Sequence, residues 1–305
     1  MAKRRNKPLA PPPSMPSRKR ARQITTTFHK LTRQREEHKE DPSERARIDE
    51  EIEALGGRAT YQKASQVSTS FHSTSKWVLG TLHRNGWLYG IKEVDRRQRR
   101  QRRTTRILEV GAINTELLDA VDDESSSGGK RNISVRAIDL NSMHARIEEM
   151  DFLQLRLHPE ERFDVIVNSM VLNSVPTPEQ RGDMVSRLFH FLRPGGLVFV
   201  TLPRTCLIHS PYIDKPRFDA LFANVFGMEL VEGKESPKLY FWIWRRTEKE
   251  PSHDDSTYQL LRKIHQGKKY RVNFSVVLSS ECIDGATIDW ETGKKGSSCR
   301  PTKTT

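Results

Sequence analysis

At 305 residues the chain has room for one large or two small domains, and 30% charged against 35% hydrophobic residues implies a core flanked by long polar segments. Its net charge of +13 is concentrated in two places, residues 1–40 with twelve Lys/Arg against three Glu and residues 96–106 with seven Arg and no acid. Three scattered cysteines (Cys206, Cys282, Cys299) exclude a disulfide framework or a zinc ligand set, and no apolar run approaches the length of a membrane span or of a secretory core.

A near-neutral body with two basic appendages suits a polyanionic partner held beside a conventional domain; the alternative is a solvated tail and a solvated loop. A reducing, intracellular compartment is expected. Residues 1–26 read as a basic disordered tail, rich in Pro and with little to bury. Its clusters Lys3-Arg4-Arg5 and Arg18-Lys19-Arg20 resemble a nuclear or nucleolar address, and such runs also serve as nonspecific RNA-binding arms.

Residues 27–104 read as a helical lead-in that can cover a ligand site. A short helix is expected near Thr27–Lys39. A second starts at Asp41, with Asp41 as N-cap, Pro42 in the first helical position and Glu44 completing a capping box. Ile48, Ile52 and Leu55 recur at helical spacing before Gly56-Gly57 ends the run. Between Tyr61 and Gly90 the chain is Ser/Thr-rich; Trp77, Leu79 and Leu82 fit a core-facing helix, and Ser75 and Lys76 are polar enough to line a pocket. The run Arg96–Arg103 follows, and its charges would gain most from phosphates.

From Thr105 to Leu278 strands and helices alternate. Strand Thr105–Val110 ends in Glu109-x-Gly111, a helix is expected over Thr115–Val121, and a second strand ends at Asp139. Asp122–Asn132 reads as an exposed loop. Further strands are expected at Ile147–Met150, Phe163–Asn168, Leu197–Leu202, Glu229–Glu232 and Leu239–Arg245, with helices over Glu179–Leu192 and Pro216–Phe226. Near-continuous apolar strands separated by helices indicate an α/β fold, a mostly parallel sheet covered on both faces. Glu109, Asp139, Asp151 and Asn168 fall at or just past strand ends, where such sheets bind ligands. Gly111 permits a tight turn close to a ligand, and a carboxylate at Asp139 can accept hydrogen bonds from a ribose diol. The single Gly111 disfavours a dinucleotide fingerprint. S-adenosylmethionine (SAM) sites are looser, and an ordinary strand-to-helix turn is the competing reading. No acid/base pair, nucleophile–His pair or metal cluster is evident, and His190 and His209 read as structural or surface residues. Residues 279–305 read as a disordered tail.

Several blocks carry a resemblance. They are Leu108-Glu109-Val110-Gly111-Ala112, Ala137-Ile138-Asp139-Leu140-Asn141, Met150-Asp151-Phe152, Phe163-Asp164-Val165-Ile166 running into Ser169–Pro176, Leu192-Arg193-Pro194-Gly195-Gly196, and Gly267 through Asn273-Phe274. Over roughly residues 28–278 the chain resembles the fungal 25S ribosomal RNA adenine-N1 methyltransferase family, whose animal relatives include the SAM sensor SAMTOR. The upstream block (Tyr61-Gln62, Ala64-Ser65, Ser75-Lys76-Trp77) matches in part, but a Gly-rich stretch expected before Ser75 is absent.

The resemblance implies a seven-stranded class I SAM-dependent methyltransferase fold that methylates N1 of an adenine in large-subunit rRNA or a pre-ribosomal particle, in the nucleus and nucleolus, without metal or membrane. The alternative it implies is a SAM sensor that transfers nothing. Carried over, Gly111 lies against SAM, Asp139 holds the ribose hydroxyls and Asp151 and Phe152 flank the adenine. Glu109 orders the turn and reaches the methionyl amine through water. Adenine N1 attacks through its own lone pair, so the enzyme mainly aligns the reactants and needs an acceptor as charge develops on the base. Asn168, with Asn173 second, is the expected acceptor.

Overall fold

A computed structural model describes residues 18–69, 74–84, 104–126, 133–142, 144–252, 263–286 and 288. The expectations for residues 1–17, for the Arg96–Arg103 run and for most of the last tail lie outside these residues.

Seven strands, β1 (Thr105–Val110), β2 (Ile133–Asp139), β3 (Glu148–Glu149), β4 (Phe163–Ser169), β5 (Leu192–Pro203), β6 (Glu229–Glu235) and β7 (Leu239–Arg245), form one sheet. Their order is β3-β2-β1-β4-β5-β7-β6. Neighbours are parallel except at β7, which runs antiparallel to both β5 and β6. The strand order reverses between β1 and β4, so the crevice beyond their C-terminal ends is the switch point where a ligand fits.

The central strands are apolar on both faces because both faces are covered, while the edge strands β3 and β6 are largely exposed. Leu108, Ile166, Val198 and Val200 face one core layer; Ile107, Val165, Val167, Leu197 and Phe199 face the other. The second layer is closed by α4 (Thr74–Arg84) and α5 (Glu116–Ser126), through Val78, Leu82, Leu117 and Val121. Trp77 sits edge-on to Phe199 at 5.0 Å and to Phe241 at 5.4 Å, which accounts for the helix expected there. The first layer holds α6 (Pro178–His190), α7 (Thr205–Ile208), α8 (Lys215–Ala220), a π-helical turn (Leu221–Val225) and the segment around Phe274 and Val276.

α6 starts where its chemistry says it should. Thr177 caps it, Gln180 answers in a reciprocal capping box, and Pro178 fills the first turn. Gly182 lets α6 approach the segment behind it, because a Cβ there would lie 1.7 Å from Val277 O.

Before the sheet, α1 (Arg18–Glu37), α2 (Pro42–Ala54) and α3 (Gly57–Thr69) form the helical lead-in. α1 starts well before the expected Thr27, because Ala21, Ile24, Phe28 and Leu31 make a continuous buried stripe. Asp41 caps α2 by accepting from Ser43 N and Glu44 N. The expected capping box does not close. The Asp41 N–H donates to His38 O, and Glu44 pairs with Arg47 instead.

Three other expectations are corrected. β3 shrinks to two residues because the Ile147 N–H closes a turn onto His144 O. Leu192–Gly196 lies inside β5 rather than ahead of it. Leu192 pairs with Phe163, the Gly195 N–H donates to Arg246 O, and the Arg246 N–H returns to Gly196 O. The start of the presumed tail is ordered. Ser279 caps α9 (Ser280–Ile283), and Cys282, Ile283 and Ile288 join the main core. There His190 Nε2 meets Ile283 O at 2.8 Å and Ser186 Oγ donates to Cys282 O. His190 is thus a buried structural residue.

Candidate functional site

The turn after β1 depends on Gly111. Its φ of +71° is left-handed, and a Cβ would lie 2.5 Å from Val171 Cγ2, so both the backbone and the space require glycine. Gly111 N and Ala112 N both donate to Ile138 O, which ties the turn to the end of β2. The first N–H of α5, on Glu116, donates to Asn114 Oδ1 at 3.0 Å and is not available to a ligand.

Asp139 ends β2 and is 6% exposed. Its Oδ1 accepts from Asn141 N at 3.0 Å and lies 3.5 Å from Arg58 Nη2. Arg58 comes from α3, which the sequence offered as a cover. Its guanidinium rests over Tyr61 at 4.9 Å and Phe28 at 5.5 Å, and those rings stack at 4.4 Å. Tyr61 bonds Ser65 and Ser174, and burial pushes its hydroxyl above the usual tyrosine range. The lead-in therefore does roof the strand rim, from α1 and α3. Beside Asp139, Leu140 leaves an apolar side chain 53% exposed.

Glu109, one residue before the end of β1, is half-buried with Oε2 shut away from solvent and without a hydrogen-bond partner among the described residues. Burial, then the nearby Glu116 carboxylate, pushes its pKa up to about 7. Glu116 accepts from Ser75 Oγ at 3.3 Å, so Ser75 is buried in this network while Lys76 is exposed.

β4 ends in a constrained turn. Ser169 Oγ bonds Thr74 Oγ1 at 3.0 Å and Thr201 Oγ1 at 2.9 Å, and Met170 follows at φ +61° without being glycine. Such strain persists only where the surroundings enforce it, and it gathers at functional sites.

Two expected site residues turn inward. Asn168 is 0% exposed, with Nδ2 on Met184 Sδ at 3.4 Å and Oδ1 without a partner among the described residues. It lies behind the rim, so it cannot touch a substrate base. The Phe152 ring, 3% exposed, packs edge-on to Phe191 and offers no surface for an adenine. Asp151 caps the short helical turn Phe152–Gln154, accepting from Leu153 N at 2.9 Å. Asn173 is half-buried in the turn after β4, with Nδ2 3.4 Å from Ser174 Oγ and Oδ1 shut away from solvent without a partner among the described residues.

The strand registers bring Gly111, Asp139 and Glu109 together, since Val110 pairs with both Ile138 and Asn168. Arg58, Leu140 and Ser174 escaped the sequence reading. Arg58 had no visible signal, because its partner lies 81 positions downstream. Leu140 had one, an apolar residue directly after the rim acid.

Among the described residues no group of three His, Cys, Asp or Glu could hold a metal ion, and no helix is long and apolar enough to cross a membrane. With this geometry in hand, one family model, described as Bmt2, 25S rRNA (adenine(2142)-N(1))-methyltransferase, matches residues 46–276. The chain belongs to the Bmt2 family. It is 31% identical over 147 residues to the 25S rRNA (adenine(2142)-N(1))-methyltransferase of Saccharomyces cerevisiae, covering 48% of this chain and 42% of that protein. It is 30% identical over 143 residues to the 25S rRNA adenine-N(1) methyltransferase of Schizosaccharomyces pombe, covering 45% and 49%. The chain thus spans less than half the length of either curated relative it matches. A solved structure, the N-methyltransferase NodS of Bradyrhizobium japonicum with S-adenosyl-L-homocysteine, aligns at 15% identity over 58% of this chain and 94% of that one, with TM-score 0.35. At that score the likeness carries no argument. The class I methyltransferase fold of this Bmt2 family member is read from its own seven-stranded sheet, with β7 as the one reversed strand.

Proposed function

We propose that this chain transfers a methyl group from SAM to N1 of an adenine in large-subunit rRNA. The observation that carries the reading is membership of the Bmt2 family over residues 46–276, which spans the whole rim from Arg58 to Asn173. The residues present fit a sulfonium nucleoside. Gly111 holds a left-handed turn closed against Val171 that no side chain could replace, Asp139 is a buried carboxylate whose cation comes from a covering helix, and Glu109 holds an oxygen with no partner among the described residues.

SAM supplies, when bound, an electrophilic methyl on a positively charged sulfur. Asp139 would accept from the ribose hydroxyls in place of Arg58. Glu109 would offer its unpartnered oxygen toward the methionyl ammonium. The exposed side chain of Leu140 and the backbone at Asp151-Phe152 would flank the adenine, since the Phe152 ring is committed to the core.

The target N1 attacks without a general base, so the protein must free it from Watson–Crick pairing and align it. Asn173 rather than Asn168 would accept from the target base as positive charge develops, once its oxygen is uncovered. Asn168 is a positioning residue beneath the β4 end. A nuclear and nucleolar site of action, on rRNA or a pre-ribosomal particle, fits the basic N-terminal clusters.

The test is tritium transfer from labelled SAM into large-subunit rRNA lacking the modification, followed by mapping of the labelled nucleotide. Label at an adenine N1 supports the reading. SAM binding with no label in RNA makes the chain a sensor, and label elsewhere changes the substrate.

A further inference from the structure

A groove of about 280 Å³ opens between the end of α1 and the start of α6, apart from the rim that holds Asp139. Arg33, Glu37, Lys39, Thr177, Glu179 and Asn273 line it. The floor is Arg181, which is buried and spends its guanidinium on Val175 O, Pro176 O and Ser275 O, with the Phe274 ring 4.9 Å away. One side chain thus ties the segment before α6 to the segment around Ser275, which fixes the wall that faces α1. Neither the fold nor the SAM pocket explains why Asn273 is exposed at its mouth.

Its charge is not balanced from within. Arg33 Nε is shut away from solvent and finds no hydrogen-bond partner, and among the described residues no carboxylate lies within ion-pair distance of Arg33 or Lys39. Burial and then Arg33 bring the Arg181 pKa down to about 10, so the two guanidinium groups feel one another. Like charges held this way leave a place for an anion. Glu37 and Glu179 keep the groove from being a bare anion well and add acceptors for amino and hydroxyl groups. That mixture matches a nucleotide better than free phosphate. Pro176 follows Asn173 by three residues, a chain reach of at most about 11 Å.

We propose that this groove seats the nucleotide next to the target adenine in single-stranded RNA. Arg33 and Lys39 take its phosphate, and Asn273 its base edge or ribose. The inference rests on the RNA-methylation reading and adds where the strand runs.

The test compares wild-type chain with Arg33→Glu/Lys39→Glu, and with Arg33→Lys as the conservative control. Three quantities are read: SAM binding by calorimetry, affinity for a short fluorescein-labelled single-stranded RNA at several salt concentrations, and transfer kinetics on rRNA lacking the modification. In the double variant RNA affinity and KM for RNA worsen about tenfold or more, and the salt slope becomes shallower by about one per lost phosphate contact. SAM affinity and melting temperature hold, and Arg33→Lys recovers most of the loss. A double variant that binds RNA with wild-type affinity and salt slope overturns the groove while leaving the methylation reading standing. A wild-type chain that neither binds nor labels RNA overturns both.

Discussion

Arg58 Nη2 stands 3.5 Å from Asp139 Oδ1, on the carboxylate that a ribose diol would need. Both groups are largely buried, so removing the cation leaves the Asp139 carboxylate with its Asn141 N–H contact but without the facing positive charge, which is costly. Arg58→Gln is expected to destabilise the ligand-free protein by about 1–3 kcal/mol. It should cost less in the presence of SAM, because the ribose hydroxyls replace the lost partner. The SAM-induced rise in melting temperature is therefore larger in the variant than in wild type. A smaller rise would mean that Arg58 holds the ligand rather than yielding to it.

Asp139→Asn should weaken SAM binding about 10- to 100-fold, the value of hydrogen bonds to a charged acceptor. Asp119→Asn is the matched control, since Asp119 pairs with Arg146 on the surface at 2.6 Å. Isothermal calorimetry on both variants decides the matter, and equal affinities would remove Asp139 from the pocket.

Glu109 makes the stability depend on pH. Its pKa is about 7 in the fold against an ordinary carboxyl value of 4.5, so between those values the native state binds more protons than the unfolded one. Stability then falls as pH rises from about 4.5 to about 7, by at most about 3 kcal/mol. Urea unfolding of Glu109→Gln should lack this fall. A cationic ammonium arriving beside Glu109 should also expel a proton, visible as buffer-dependent binding heats near pH 6.5 in wild type and absent in Glu109→Gln.

Gly111→Ala combines two penalties. Left-handed backbone on an L-residue costs about 1–2 kcal/mol, and the Val171 clash a further 1–3 kcal/mol. Adding Val171→Ala should relieve only the second. Chemical denaturation of the single and double variants separates them; full recovery in the double variant would show that the backbone conformation was never required.

The boundary at Leu278 needs revision in any expression design. Deleting residues 279–305 strips Ile283 and Cys282 from the core and leaves His190 and Ser186 without their carbonyl partners. A loss of about 2–4 kcal/mol follows from the apolar side chains and hydrogen bonds removed, read as a lower melting temperature. An unchanged melting temperature would restore the tail to the unstructured segments.

Much of the sheet was legible because its strands are short apolar runs with polar punctuation. β1 and β7 match their expected bounds residue for residue. Rim acids were also legible, since Asp139 and Glu109 break those runs where they end. Side-chain direction was not. Asn168 and Asn173 look equivalent in sequence, yet the pleat of β4 turns Asn168 toward Met184 while Asn173 sits half-buried in the helical turn Leu172–Ser174 after the strand. Phe152 failed for the same reason, because an aromatic after a strand can face either the ligand or the core. The α1–α3 roof required knowing that Phe28, Arg58 and Tyr61 meet in space, and no local pattern encodes that meeting.

That roof carries a kinetic corollary. If the methyl donor lies beneath Tyr61 and Arg58, it cannot diffuse in or out along an open channel, and its exchange runs at the pace at which the helical pair lifts. Spent donor would then linger after each round, and the off-rate of the by-product, not the bond-making event, would set how quickly one molecule can serve a second transcript.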